Sequence, residues 1–148
     1  MSQQLFEEIN LNGHIEFQVK LDLDDSANIT DSKVFAVGGH DFLLAVDVFR
    51  QSLQGPVSEL QPPSGTTMPD ILIREMVHRL QGRWQLPYDE PNICHCRAVP
   101  TANVDQAIIY GAHTPAKVSE MTSASTSCGT CRTDVEEMIE YRLGKKNQ

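Results

Sequence analysis

Four cysteines in two close pairs are the feature that most restricts how this chain of 148 residues can fold. Cys94 and Cys96 form a C-x-C pair, and Cys128 and Cys131 form a C-x-x-C pair after 31 intervening residues. The intervening segment can fold back and bring the two pairs together. A site with four thiolates suits either a tetrahedral zinc ion or a [2Fe–2S] cluster, in which each iron takes two protein sulfurs.

The composition excludes several classes of protein. The net charge of -8 argues against a general nucleic-acid binder, which needs a basic surface. No apolar run approaches the roughly 20 residues of a membrane span, and residues 1–10 lack the basic end and apolar core of a secretion signal. We therefore expect a cytoplasmic protein with no nucleic-acid or membrane partner.

The spacing of the cysteines leaves their role open. Structural zinc sites mostly use C-x2-4-C knuckles, and the C-x-C pair is too short for that turn, which moderately favours the cluster over zinc. A disulfide does not suit a chain without an export signal. Four unrelated free thiols are also possible, although buried thiols rarely occur in such pairs without a ligand role.

The charge is distributed unevenly along the chain. Residues 1–90 carry 14 acidic and 6 basic side chains, whereas residues 91–148 carry 6 of each and all four cysteines. We predict two domains with different roles, an acidic one at residues 1–90 and a cysteine-bearing one at residues 91–148.

The first domain is predicted to begin with a β-hairpin. Residues 14–24 alternate strictly, which predicts a half-buried strand. Residues 29–37 predict an antiparallel partner strand that ends at Gly38 and Gly39. The apolar positions that we expect on the inner face of the first strand are Ile15, Phe17, Val19, Leu21 and Leu23.

Two helices are predicted to follow the hairpin. Asp41 can cap the first, whose inner face would carry Phe42, Val46 and Phe49, and a second starts near Thr67. A sheet followed by helices is the α+β class. No catalytic constellation accompanies these elements, so we expect the protein not to be an enzyme.

The second domain is predicted to consist of helices. Thr101 can cap one helix, which ends at Gly111, and the next helix has Pro115 at its first position. Thr133 and Glu136 predict a capping box for the last helix. Helix N-termini would thus follow both cysteine pairs, where their positive dipole ends and free N–H groups stabilise thiolates.

The cysteine segments resemble a known family. The runs at residues 93–99 and 126–131, with Val104 and residues 107–108 between them, are similar to the BFD-like [2Fe–2S] domain. This is the fold of bacterioferritin-associated ferredoxin and of the middle domain of NifU-type scaffold proteins, and the resemblance covers about residues 92–144. It implies a compact helical fold with a near-surface cluster, in a protein that passes electrons or serves cluster assembly or iron release. The residues that it implies as ligands of one [2Fe–2S] cluster are Cys94, Cys96, Cys128 and Cys131.

Residues 1–90 resemble, in their pattern of elements, the U-type iron–sulfur scaffold domain that precedes the BFD-like domain in NifU proteins. The cysteines of that scaffold would fall near Leu11 and near Gly39, and neither position holds cysteine. The resemblance therefore implies a degenerate scaffold domain that has kept the fold and lost the site.

Three hypotheses of function follow from these observations. The first is a [2Fe–2S] electron-transfer protein whose acidic first domain docks a redox or assembly partner or forms a homodimer. The second is an accessory or carrier protein of iron–sulfur cluster assembly. The third is a non-redox interaction protein with a structural zinc site.

Overall fold

The structure is a computed structural model that describes residues 3–11, 13–86, 92–94, 99–122 and 132–144. The chain divides into two compact units. The N-terminal unit comprises Met1–Ser64 and Pro69–Trp84, and the C-terminal unit comprises Gly65–Met68 and Gln85–Gln148. The predicted domain boundary, between residues 90 and 91, lies outside the described residues. An antiparallel sheet followed by helices confirms the predicted α+β class.

The N-terminal unit is built on a four-stranded antiparallel sheet of order β1-β2-β3-β4. The predicted hairpin is confirmed, and all five inner residues predicted for its first strand are buried. Phe17 lies on the second strand, with Ile9 and Ala36 as its neighbours on the two adjacent strands. The strands are β1 (Gln3–Leu11), β2 (Ile15–Leu23), β3 (Asn28–Val37) and β4 (Gly55–Pro56).

Strand β1 was not predicted, because a carboxylate interrupts its apolar alternation. Ile9 is the one fully buried residue of the strand, and Glu7 occupies the same face. The Oε1 atom of Glu7 lies 3.8 Å from Nη1 of Arg79, which compensates the charge at this position. A charged residue at an inward position hides the period of two from sequence reasoning.

Helix α1 (His40–Gln51) buries the predicted residues Phe42, Val46 and Phe49. Its N-cap is Gly39, without a side-chain hydrogen bond, so the prediction that Asp41 caps the helix is wrong. The sharp entry depends on Gly38, since a Cβ atom there would lie 2.7 Å from Cδ2 of Phe42.

Helix α2 (Met68–Leu80) is buried around most of its circumference, and not only along one apolar face. Its buried charged groups are satisfied internally: Nη1 of Arg74 donates to the Pro63 carbonyl at 2.7 Å, and Nε of Arg79 donates to Oε2 of Glu75 at 2.6 Å. Just beyond the helix, Nε2 of Gln81 donates to the carbonyl of Leu60 at 2.9 Å. These bonds fix α2 to the preceding segment and allow polar side chains in its buried surface.

The C-terminal unit contains the three predicted helices and a short ladder that was not predicted. No helix in the described ranges is long and apolar enough to cross a membrane. The elements are β5 (Asn92–Cys94), β6 (Val99–Pro100), α3 (Thr101–Ile109), α4 (Pro115–Thr122) and α5 (Arg132–Arg142).

The starts of these helices correct two predictions. The Oγ1 atom of Thr114 accepts a hydrogen bond from the N–H of Lys117 at 3.2 Å, as a capping residue does. Thr101, however, is a buried helical residue behind the N-cap Pro100. Thr133 lies inside α5, which begins one residue earlier, so the predicted capping box is wrong.

Candidate metal centre

Cys94 is the last residue of β5, and its backbone pairs with Val99 of β6. Residues 95–98, which include Cys96, connect these two paired positions in the chain. Cys96, Cys128 and Cys131 lie outside the described residues. The structure therefore places the backbone of one predicted ligand and the elements that flank the other three.

The flanking elements share one hydrophobic core. Ile93, next to Cys94, is buried in the same cluster as Val135 of α5, and α5 begins one residue after Cys131. Helix α3 contacts β5, β6, α4 and α5. Both cysteine pairs are thus attached by short chain segments to a single core. Its buried residues are Ile93, Val99, Val104, Ala107, Ile108, Ala112, Val118, Val135, Met138 and Ile139.

A buried ion pair joins α3 to α5. The guanidinium of Arg142 donates through Nε to Oδ1 of Asp105 at 2.6 Å and through Nη2 to Oδ2 at 2.7 Å. The Arg142 side chain is only 4% exposed. Two parallel charge-assisted bonds fix the relative orientation of the helices. Sequence reasoning missed this pair because its members are 37 positions apart and lie on different helices.

The N-terminus of α5 supplies local positive potential beside the second cysteine pair. The first N–H groups of a helix have no partner within the helix and carry the positive end of its dipole. Nε of Arg132 donates to Oε1 of Glu136 at 3.0 Å, and both side chains are exposed. Glu136 thus offsets part of the arginine charge, and the helix end is the more constant source of positive potential.

An uncharged patch lies on the α3–α4 surface of this unit. Tyr110 and Met121 are about half exposed and line one notch together with Asn103 and Gln106. Helix α4 ends at Thr122, directly before the segment that carries Cys128.

The donor set fits an iron–sulfur cluster. Within the part of the chain that the structure describes, no three histidine, cysteine, aspartate or glutamate side chains are placed to hold a metal ion. The sequence supplies four thiols, Cys94, Cys96, Cys128 and Cys131, of which the last three lie outside the described residues. Four thiolates provide two sulfurs for each of two irons.

A protein with this helical core and these paired cysteines has the form of a small iron–sulfur binding domain. Residues 92–141 match the family model of the BFD-like [2Fe–2S] binding domain, about one third of the chain. This segment is a BFD-like [2Fe–2S] binding domain, and its cofactor is a [2Fe–2S] cluster. The family match, rather than the spacing, decides between the cluster and zinc.

One curated relative shares part of the sequence. The large subunit of the nitrite reductase [NAD(P)H] of Klebsiella oxytoca is 34% identical over 58 residues. The match spans 39% of this chain and 6% of the relative. No solved structure matches the chain significantly. The resemblance of residues 1–90 to a scaffold domain remains a prediction.

Proposed function

We propose that the protein transfers single electrons through a [2Fe–2S] cluster in its C-terminal unit. The ligands in this proposal are Cys94, Cys96, Cys128 and Cys131. The observation that carries the proposal is the BFD-like match over residues 92–141, together with the attachment of β5 and α5 to one core. The name of the partial relative, a nitrite reductase that uses NAD(P)H, also favours redox chemistry over a purely structural role.

The protein contributes a helical frame with an apolar core and one buried ion pair to this chemistry. When bound, the cluster supplies a centre that takes up and gives back one electron. Asp105 and Arg142 join α3 to the C-terminal end of α5 and so hold the helix whose first residue, Arg132, follows Cys131. A frame that does not rearrange keeps the reorganisation energy of electron transfer small. The free N–H groups at the N-terminus of α5 stabilise the thiolate form of nearby cysteines.

The acidic N-terminal unit is, in this proposal, a docking module for a redox partner. It carries 12 acidic and 6 basic side chains, a net charge of -6 out of the total of -8, and no cysteine. We propose that the chain itself converts no substrate. We also propose that it works in a reducing compartment such as the cytoplasm, where its four cysteines stay reduced and can bind the cluster.

Anaerobic purification tests the redox proposal. We expect visible absorption and two iron and two sulfide ions per chain. After reduction with dithionite, we expect an electron paramagnetic resonance signal from the cluster reduced by one electron. A colourless protein with one zinc ion and no sulfide would contradict it.

A second measurement separates electron transfer from cluster assembly. The loaded protein is mixed with an apo-ferredoxin and taken through repeated reduction and oxidation. An electron carrier keeps its cluster through these cycles, whereas a carrier in cluster assembly loses it to the acceptor.

A further inference from the structure

An apolar groove with a volume of about 400 Å³ lies in the N-terminal unit. Helix α1 forms one side through Ala45, Val48 and Ser52, and α2 contributes Ile73 and Asp70. A groove of this size takes one or two large apolar side chains.

The groove continues into an exposed apolar surface of α1. Val48 is 70% exposed, and Leu44, one turn earlier, is 52% exposed. Positions four residues apart lie on the same side of a helix. Contiguous exposed apolar side chains beside a groove are typical of interaction sites.

The groove is preorganised for binding. Phe49 lines it and is held from below by Phe17, with the two ring centroids 5.8 Å apart in an edge-to-face arrangement. The Ser52 hydroxyl donates to the Phe49 carbonyl at 2.6 Å, so this polar group is already satisfied. A partner therefore meets an apolar floor that needs little ordering.

Carboxylates lie on two sides of this apolar floor. Asp41, Ala45, Val48 and Ser52 follow one another at helical spacing, so Asp41 stands at the end of the stripe that lines the groove. Asp70 lines the facing side, and Asp47 lies on the outer surface of α1, 4.0 Å from Arg50. The local charge repels anionic lipids and a second copy of the same face, and attracts a basic partner.

We propose that this groove binds a basic amphipathic helix of a partner protein, with apolar residues in the groove and lysine or arginine side chains toward Asp41 and Asp70. The stripe from Ala45 to Ser52 spans roughly 10 Å, about two turns of a bound helix. This is the helix-in-groove mode, with anchors at i, i+3 or i+4 and i+7. The inference rests on the proposed docking role and specifies its partner.

The test is a fluorescence-anisotropy titration of the full cluster-loaded chain. The probe is a labelled synthetic helix of about 14 residues with leucines at i, i+3, i+4 and i+7 and lysines elsewhere, and its counterpart has glutamates in place of lysines. We expect the lysine peptide to bind and the glutamate peptide not to bind. Val48→Ser and Asp41→Asn should each raise its Kd at least about threefold, and Asp41→Asn should also reduce the salt dependence.

Matched variants on the sheet separate the groove from general attraction to an acidic protein. Phe35→Ser and Asp31→Asn make the same kinds of change on β3, at exposed positions, and should leave the Kd unchanged. Equal weakening by the groove and sheet variants would overturn the inference, and so would binding of the glutamate peptide. A dimer in sedimentation that Val48→Ser dissociates would assign the groove to a second copy instead.

Iron content and dithionite reduction are measured on the same samples. If the cluster is present and reducible while peptide binding is absent, the groove inference fails and the redox proposal stands. If peptide binding is specific while no cluster is found, the redox proposal fails and the groove is a docking site with another purpose.

Discussion

The two units solve the problem of a stable core in different ways. The N-terminal unit interlocks a sheet with aromatic side chains: Phe17 contacts the rings of Phe42 and Phe49 at centroid distances of 5.5 and 5.8 Å. The described core of the C-terminal unit consists of ten aliphatic and methionine side chains. A small core of this kind gains much from a metal centre that links its ends. We therefore expect the N-terminal unit to be stable by itself and the C-terminal unit to depend on its cluster.

Two spectroscopic probes can report on the units separately. The chain has a single tryptophan, Trp84, in the N-terminal unit, with the Arg79 guanidinium 5.8 Å from its ring centroid. Its fluorescence should follow the unfolding of that unit. Cluster absorption should follow the C-terminal unit.

Removal of one proposed ligand should give the largest contrast between the units. We expect Cys131→Ser to lower bound iron at least about tenfold, since even substitution of residues that only hydrogen-bond to metal ligands has effects of that size. The C-terminal helices should then unfold at lower denaturant concentration, while the Trp84 transition stays in place. Iron assay and urea titration measure both.

Thr130→Ala, inside the same C-x-x-C pair, is the matched control and should keep the cluster. An unchanged iron content in Cys131→Ser would remove this residue from the ligand set. A Trp84 transition that shifts together with the cluster signal would show that the two units do not unfold independently.

Truncation of the aromatic core should have the opposite pattern. Phe17 is fully buried, so Phe17→Ala should lower the free energy of unfolding of the N-terminal unit by about 3–5 kcal/mol. Cluster absorption should be retained at low denaturant. Phe35→Ala, on β3 with its ring about half exposed, should cost less than about 1 kcal/mol. Similar effects of the two variants would contradict the assigned register.

The buried ion pair tests how much of the C-terminal frame is independent of the cluster. Asp105→Ala deprives the buried Arg142 of its bidentate carboxylate. We expect it to lower the free energy of unfolding of the C-terminal unit by about 3 kcal/mol. A urea titration monitored by cluster absorption measures this loss. The double variant Asp105→Leu/Arg142→Met should lose less, because no charge stays buried.

The exposed pair of Arg132 and Glu136 provides the control for this comparison. Glu136→Ala should change stability by no more than about 0.5 kcal/mol. An effect as large as that of Asp105→Ala would mean that Glu136 acts on the cluster site and not only on α5.

Much of the fold was readable because its signals are local. The period of two in β2 predicted its buried face, and the spacing in α1 predicted the burial of Phe42, Val46 and Phe49. The cysteine spacing and the family resemblance together predicted the cofactor, which the family match confirms. The ligand residues themselves stay a prediction.

The features that sequence reasoning missed depend on contacts between distant residues. Glu7 is tolerated on the inner face of β1 because Arg79 lies beside it. The buried pair of Asp105 and Arg142 likewise exists only when α3 meets α5. No local pattern encodes such pairings, since each partner alone looks like a surface residue.

The smallest expected effect is a pH dependence confined to the N-terminal unit. Burial, together with the charges of Arg74 and Arg83, lowers the pKa of His78 below its ordinary value of 6.5. The folded state then binds fewer protons than the unfolded state just below pH 6.5, so stability is complete above that pH and decreases as the pH falls. The slope should stay below the one-proton limit of about 1.4 kcal/mol per pH unit.

Urea titrations followed by Trp84 fluorescence between about pH 5.5 and 7.5, the range in which histidines titrate, measure this slope. We expect His78→Gln to flatten it, whereas His40→Gln, at the exposed start of α1, should leave it as in the wild type. Cluster absorption in the same titrations should not show the dependence on His78, because that residue belongs to the N-terminal unit. An equal flattening in both variants would assign the slope to surface charge instead of to the buried imidazole.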